Sequence, residues 1–168
     1  MKKILFTSIA ALAVVISGCS TKSTSVSGDS SVDSNRGSGG SGGSDGWDID
    51  SKISQLNDTL NKVYFDFDKF NIRPDMQNVV STNANIFNTE VSGVSITVEG
   101  NCDEWGTDEY NQALGLKRAK AVKEALIAKG VNADRIAVKS YGETNPVCTE
   151  KTKACDAQNR RAEFKLSR

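Results

Sequence analysis

From Ser20 to about Gly46 serine, threonine, glycine and asparagine crowd out apolar residues, ending in Gly37-Ser38-Gly39-Gly40-Ser41-Gly42-Gly43-Ser44. A segment of this composition buries too little apolar surface to offset its ordering entropy, so it reads as a flexible tether. Its roughly 27 residues span at most about 90 Å when extended, and about 30 Å root-mean-square as a coil. Any core must come from the remainder of the 168-residue chain, about 120 residues after the tether, which suits one domain. The 21 basic and 21 acidic residues cancel. A balanced chain lacks the basic face with which nucleic-acid binders displace counterions, so no nucleic-acid partner is expected. Histidine is absent throughout. That removes Ser-His-Asp and Cys-His nucleophiles, HExxH metalloproteases and histidine general bases. With no P-loop either, the chain reads as a non-enzyme that takes no cofactor.

The start of the chain has a separate logic. Lys2 and Lys3 precede an apolar run, Leu5 to Ile16, and Ser17-Gly18-Cys19 follow. A dozen apolar residues are too few to span a bilayer but suit the hydrophobic region of a signal peptide. An ordinary secretory signal fits this much. Small residues directly before Cys19 resemble the bacterial lipobox, in which the cysteine thiol is lipidated after residues 1–18 are removed. Residues 19–46 are then a lipidated cysteine and its tether, and Ser20 after the cysteine favours export to the outer membrane. Several acyl chains, at about 0.8 kcal/mol per buried CH₂, make a stable anchor. Loss of Lys2 and Lys3 leaves 19 cations against 21 anions, a mature charge of −2.

Residues 47–168 are periodic. Ile49, Ile53, Leu56 and Leu60 recur at helical spacing. Val63, Phe65 and Phe67 alternate with Tyr64 and Asp66, predicting a strand with those three on the core face. Pro74 opens a helix to about Asn88 with Met76, Val79, Val80 and Phe87 as its stripe. Val94, Ile96 and Val98 predict a second strand ending at Gly100. Thr107 is the expected N-cap of the longest helix, Asp108 and Glu109 suit its positive end, and Gly130 terminates it. Tyr110, Leu114, Val122 and Leu126 form its expected buried side, with Lys123 solvated. Strands at Ile136 to Tyr141 and Ala162 to Leu166 complete the order β-α-β-α-β-β. This predicts a two-layer α/β domain with helices on one face of a mixed sheet.

Cys148 and Cys155 lie seven apart in a polar stretch between the last two strands. In an exported protein they are expected to pair, with two free thiols as the alternative. Cys102, beside Asp103, has no histidine to serve as its base and no zinc spacing, so it reads as a buried structural thiol.

An ordered series of motifs carries a family resemblance: Val63-Tyr64-Phe65-Asp66-Phe67-Asp68-Lys69, Val98-Glu99-Gly100-Asn101-Cys102-Asp103-Glu104, Gly106-Thr107, Tyr110-Asn111, Ala113-Leu114-Gly115, Arg118-Ala119, Gly130-Val131, Ser140-Tyr141-Gly142 and Asn159-Arg160-Arg161. Over about residues 60–168 it resembles the OmpA-like C-terminal domain family, and with lipobox and tether its peptidoglycan-associated lipoprotein branch. The resemblance implies non-covalent binding of the diaminopimelate residue of peptidoglycan stem peptides. It implies tethering of the outer membrane to the wall within the Tol-Pal system, with the Tol-system periplasmic propeller protein as partner. By position match, Asp103 would take the ligand ammonium and Arg118 its carboxylate, with Leu114 as apolar wall. Phe67, Asp68 and Cys102 match groove-lining loop positions, and Asn101 and Asn111 further polar ones. Asn159, Arg160 and Arg161 are expected to brace the last strand rather than touch ligand. The family commonly has threonine or alanine at Cys102 and arginine at Trp105, and the Cys148–Cys155 loop is closer to OmpA-type domains. Two alternatives are a periplasmic protein adaptor and a peptidoglycan hydrolase using Asp103 and Glu104 or Asp108 and Glu109. Neighbouring carboxylates on one loop cannot flank a sugar from opposite faces, which counts against the hydrolase.

Overall fold

The computed structural model describes residues 44–168, with side chains from Asp48 onward. The leader, Cys19 and the tether to residue 43 lie outside the described residues. A first helix, α1, runs Ser44–Thr59, so the last three residues assigned to the tether are helical. Ile53, Leu56 and Leu60 from this region are buried in the core.

Four strands follow: β1 Val63–Tyr64, β2 Ser95–Asn101, β3 Ile136–Gly142 and β4 Arg161–Ser167. They form one sheet in the order β1-β4-β2-β3. β2 and β3 are parallel, and β4 is antiparallel to both β1 and β2. The mixed sheet is as expected. Helix α2 spans Gln77–Thr89 after a 3₁₀ turn at Pro74–Met76, and α3 spans Asp108–Ala128. Val80, Ala84 and Phe87 of α2 join Ala119, Val122 and Leu126 of α3 against Ile96 and Val98 of β2 and Phe164 and Leu166 of β4. Phe87 meets Phe164 edge-on, with ring centroids 5.4 Å apart.

Several polar groups position these layers. β1 pairs with β4 only at Ala162 and Arg161. Farther along β4, Asn57 of α1 replaces a strand: its Nδ2 donates to the Leu166 carbonyl at 3.2 Å and its Oδ1 accepts from Leu166 N–H at 2.7 Å. Arg135 donates to the carbonyls of Val94, Phe87 and Val91, satisfying the end of α2 and the turn into β2. Lys123, expected to be solvated, donates to the Ile136 carbonyl at 2.6 Å.

The first strand departs from its expected length. It stops at Tyr64, the Phe65 N–H bonds the Arg160 carbonyl, and the chain then turns out of the sheet, with Lys69 N–H on the Asp66 carbonyl. Asp68 occupies the left-handed region at φ 56°. Phe67 is therefore 59% exposed, not on the core face. A short helix, α4 at Lys153–Asn159, stands where the sequence reads as loop. The Cys148–Cys155 disulfide is present and ties α4 to the preceding loop.

Candidate functional site

The site forms where the chain leaves β1 and β2 and enters β4. The loop after β1 carries Phe67 and Asp68, the loop after β2 carries Asp103 and Trp105, and the first turns of α3 carry Tyr110 and Leu114. Thr107 caps α3 as expected, its hydroxyl accepting from Tyr110 N–H at 3.2 Å. Phe67, Asp68, Asp103, Trp105, Gly106, Tyr110 and Leu114 line a cleft of about 210 Å³. Trp105 and Tyr110 are 59% and 49% exposed, unusual for aromatics without a binding role in so small a region. The cleft holds two carboxylates and no cation. Asp68 accepts from the Tyr110 hydroxyl, and that carboxylate raises the Tyr110 phenol above its ordinary pKa. Asp103 is nearly buried and pairs with Arg160, Nη1 to Oδ2 at 2.9 Å.

The loops are held from beneath by residues expected in the groove itself. Arg118 has no exposed surface. It donates to the carbonyls of Lys69 at 2.8 Å, Asn101 at 2.8 Å and Asp66 at 3.3 Å, and to the Cys102 sulfur at 3.4 Å. Those contacts engage four of its five N–H groups. The guanidinium also lies over the Phe65 ring, 5.2 Å from its centroid. In this arrangement the Arg118 fork, expected to grip a ligand carboxylate, is engaged by the two loops. Burial lowers its pKa from the ordinary arginine value.

Asn111 is likewise fully buried, donating to the carbonyls of Trp105 and Asp103 and to the Glu143 carboxylate. Asn101 is buried, its Nδ2 on the Glu99 carbonyl and its Oδ1 accepting from Asn145. Cys102 is a buried free thiol whose sulfur reaches the Asn111 carbonyl, and burial pushes its pKa up to about 11. It lines a separate cleft with Glu143, Pro146 and Cys148. Phe67, Asp68, Asp103 and Leu114 therefore line the aromatic cleft as expected, whereas Asn101, Cys102, Asn111 and Arg118 form its scaffold.

Gly106 and Tyr110 were not expected to line the cleft. Spacing placed Tyr110 on the core side of α3, but the buried face runs Asn111, Leu114, Gly115, Arg118, Ala119, Val122 and Leu126. The buried asparagine and arginine displace the apparent apolar stripe. Asn159 and Arg161 brace β4 as expected, Asn159 bonding the Val147 and Cys148 backbone and Arg161 pairing with Glu163 at 2.8 Å. Arg160 does not only brace: besides pairing with Asp103 it lines a second cleft. Glu104, a candidate hydrolase carboxylate beside Asp103, is paired with Lys151 at 3.1 Å.

The OmpA family profile matches residues 64–160. A peptidoglycan-associated lipoprotein of Pseudomonas putida is 34% identical across 98% of this chain and 99% of its own. One from Pasteurella multocida is 43% identical over 110 residues, 66% of this chain and 73% of that one. Among solved structures, the peptidoglycan-associated lipoprotein from Burkholderia pseudomallei superposes with a TM-score of 0.61 at 37% identity, covering 66% of this chain and 93% of that one. The C-terminal domain of Helicobacter pylori MotB also gives 0.61, at 27% identity and 65% and 85% coverage. The family profile spans most of the folded region, and the Pseudomonas relative matches almost end to end. The chain belongs to the OmpA family and, within it, to the peptidoglycan-associated lipoproteins.

Proposed function

We propose that this chain binds peptidoglycan non-covalently through diaminopimelate and, anchored by lipid on Cys19, links the outer membrane to the wall. The observation that carries this reading is the anionic, aromatic-walled cleft. A diaminopimelate side chain presents an aliphatic stem ending in a carbon that bears an ammonium and a carboxylate. Phe67, Trp105, Tyr110 and Leu114 suit the stem, and Asp103 beside Asp68 suits the ammonium. The names of the relatives support association with peptidoglycan, and the Tol-system propeller protein is proposed as a second partner on the motif resemblance alone. Arg118, Asn101, Asn111 and Cys102 act by holding the two loops rather than by touching ligand. No chemistry on the ligand is part of this reading.

The test is co-sedimentation of the full-length chain with purified peptidoglycan sacculi, with and without free diaminopimelate. Removing one member of a desolvated charged contact costs about 2–5 kcal/mol. Asp103→Asn should therefore weaken binding more than tenfold while its thermal melt stays cooperative, and free diaminopimelate should compete with the wild-type chain. A folded Asp103→Asn chain that sediments like wild type overturns the diaminopimelate site. The protein-adaptor reading then takes its place.

A further inference from the structure

The cleft that Cys102 shares with Cys148 has a volume of about 210 Å³. Cys148 lines it and is half-buried, whereas its disulfide partner Cys155 is buried and stands off the cleft wall. The charged lining is acidic throughout: Glu104, Glu143, Glu150 and Asp156 contribute carboxylates, and no lysine or arginine among the described residues joins them. Two contacts that hold the loop after β2 ride on the disulfide-bonded segment. Lys151 pairs with Glu104, and Asp156 of α4 accepts from the Trp105 indole N–H at 3.0 Å. At seven residues α4 is too short to be a stable helix by itself. Its buried side chains are Cys155 and Asn159. Both converge on Cys148, the first through the disulfide and the second through the Cys148 N–H and carbonyl.

We propose that Cys148 is a thiol–disulfide exchange site whose reduction releases α4 and, with it, the Trp105 ring. A thiolate entering the acidic cleft attacks Cys148 Sγ, the sulfur of the disulfide that lines it. The S–S electron pair leaves on Cys155, which takes a proton from water. A second thiol of the reductant then attacks its own sulfur in the mixed disulfide and expels Cys148. The reductant's two thiols thus become a disulfide as Cys148 and Cys155 become thiols. Cys102 lines the same cleft but is a poor nucleophile at neutral pH. Burial pushes its pKa up to about 11, and its sulfur is engaged by Arg118 and the Asn111 carbonyl. The reductant therefore comes from outside the chain, and the carboxylates select it by charge. A thiolate carrying further negative charge is repelled, whereas a neutral or cationic thiol, or a protein dithiol with a basic rim, is admitted. Once the bond is reduced, α4 keeps Asn159 as its remaining anchor and Asp156 no longer fixes Trp105. The exchange site stands apart from the diaminopimelate reading. Its effect on wall binding, exerted through Trp105, rests on that reading.

The test treats the oxidised full-length chain with cysteamine, 2-mercaptoethanol or 3-mercaptopropionate, and follows Cys148 and Cys155 by acid quenching, alkylation and mass mapping. Rates are divided by each reagent's thiolate concentration. Cysteamine should outpace 3-mercaptopropionate at least about tenfold at low ionic strength, and the gap should narrow in salt and in Glu150→Gln. The first mixed disulfide should form on Cys148. Rates that ignore reagent charge, or a first mixed disulfide on Cys155, overturn the exchange site. A Trp47→Phe background leaves Trp105 as the sole tryptophan. Its time-resolved fluorescence anisotropy should show faster ring motion after reduction, in Cys148→Ser combined with Cys155→Ser, and in oxidised Asp156→Ala. A ring as slow in the reduced chain as in the oxidised one overturns the release of α4. Sacculus binding by the reduced chain, its fold checked by thermal melt, should weaken about two- to tenfold, the cost of ordering one side chain again. Equal binding by both forms overturns the effect on the wall. An oxidised chain that binds no sacculi removes the diaminopimelate cleft and leaves the exchange site standing on its rates.

Discussion

Arg118 lies beneath the cleft, fully buried and bonded to the loops above it. Its guanidinium ties together both loops that shape the cleft, through Asp66 and Lys69 on one side and Asn101 on the other. Three carbonyls at fixed positions require a planar donor set, which an ammonium cannot reproduce. Arg118→Lys should therefore leave one or two buried carbonyls unpaired and destabilise the domain by about 2–4 kcal/mol. Its peptidoglycan affinity, measured at a temperature where the variant remains folded, should fall because Phe67 and Asp68 lose their placement. A denaturant melt beside the sedimentation assay checks both. Unchanged stability with lost binding would instead place Arg118 against the ligand, as the motif match alone suggests. Asp103 differs from Arg118 in kind, because it belongs to the cleft wall and has a replaceable partner in Arg160.

Between elements, the tightest contact is backbone on backbone. A Cβ on Gly100 of β2 would lie 1.9 Å from the Gly115 carbonyl oxygen, and one on Gly115 would lie 2.3 Å from Ser140 Oγ. This closeness lets α3 sit down on the sheet where Arg118, one turn later, reaches both loops. A methyl group there cannot be absorbed by a side-chain rotation, because the obstacle is helix backbone. Gly100→Ala should cost more than about 3 kcal/mol, by forcing helix and strand apart. For a domain of about 120 residues that is a fall of roughly 10 °C or more in Tm, readable by calorimetry. The helix itself was legible in the sequence because Thr107 and Gly130 are local start and stop signals whose physics needs no tertiary context. Strand β1 was misread at Phe67, since alternation cannot reveal that the chain has left the sheet. Helix α4 was invisible because Lys153–Asn159 is short and polar, its fold held by a disulfide and by Asn159 bonding backbone across the loop. The cleft was half legible for a similar reason. Motif order identifies which loops matter, but whether a polar residue lines the cleft or lies beneath it depends on burial, and Asn111 and Arg118 are buried polar residues in a helix face that composition marks as surface.

At the scale of the whole molecule, the proposed role needs two attachments with slack between them. A weak wall site is sufficient if the domain is kept nearby. A flexible linker of about 24 residues, as the composition of residues 20–43 implies, would confine it to a volume that corresponds to millimolar effective concentrations. Even an affinity of tens of micromolar then keeps the cleft mostly occupied, and a modest loss in the cleft is partly masked in the anchored protein. The anchor has no such buffer. Each acyl chain contributes about 0.8 kcal/mol per buried CH₂, and a single chain holds only marginally, so the proposed attachment would depend on the several chains carried by Cys19. Cys19→Ala should move the chain from the membrane to the soluble fraction, with loss of labelled palmitate incorporation. Its binding to sacculi in vitro should stay within about twofold of wild type, because the cleft is built from residues 67–114, with Arg160 pairing to Asp103. Asp103→Asn should do the reverse, staying with the membrane while losing affinity for sacculi. The double variant should show both defects at their single-variant sizes, since the sites share no side chain and distant effects add. Membrane fractionation that ignores Cys19, or sacculus binding that falls with it, would mean that anchor and cleft are not separate devices.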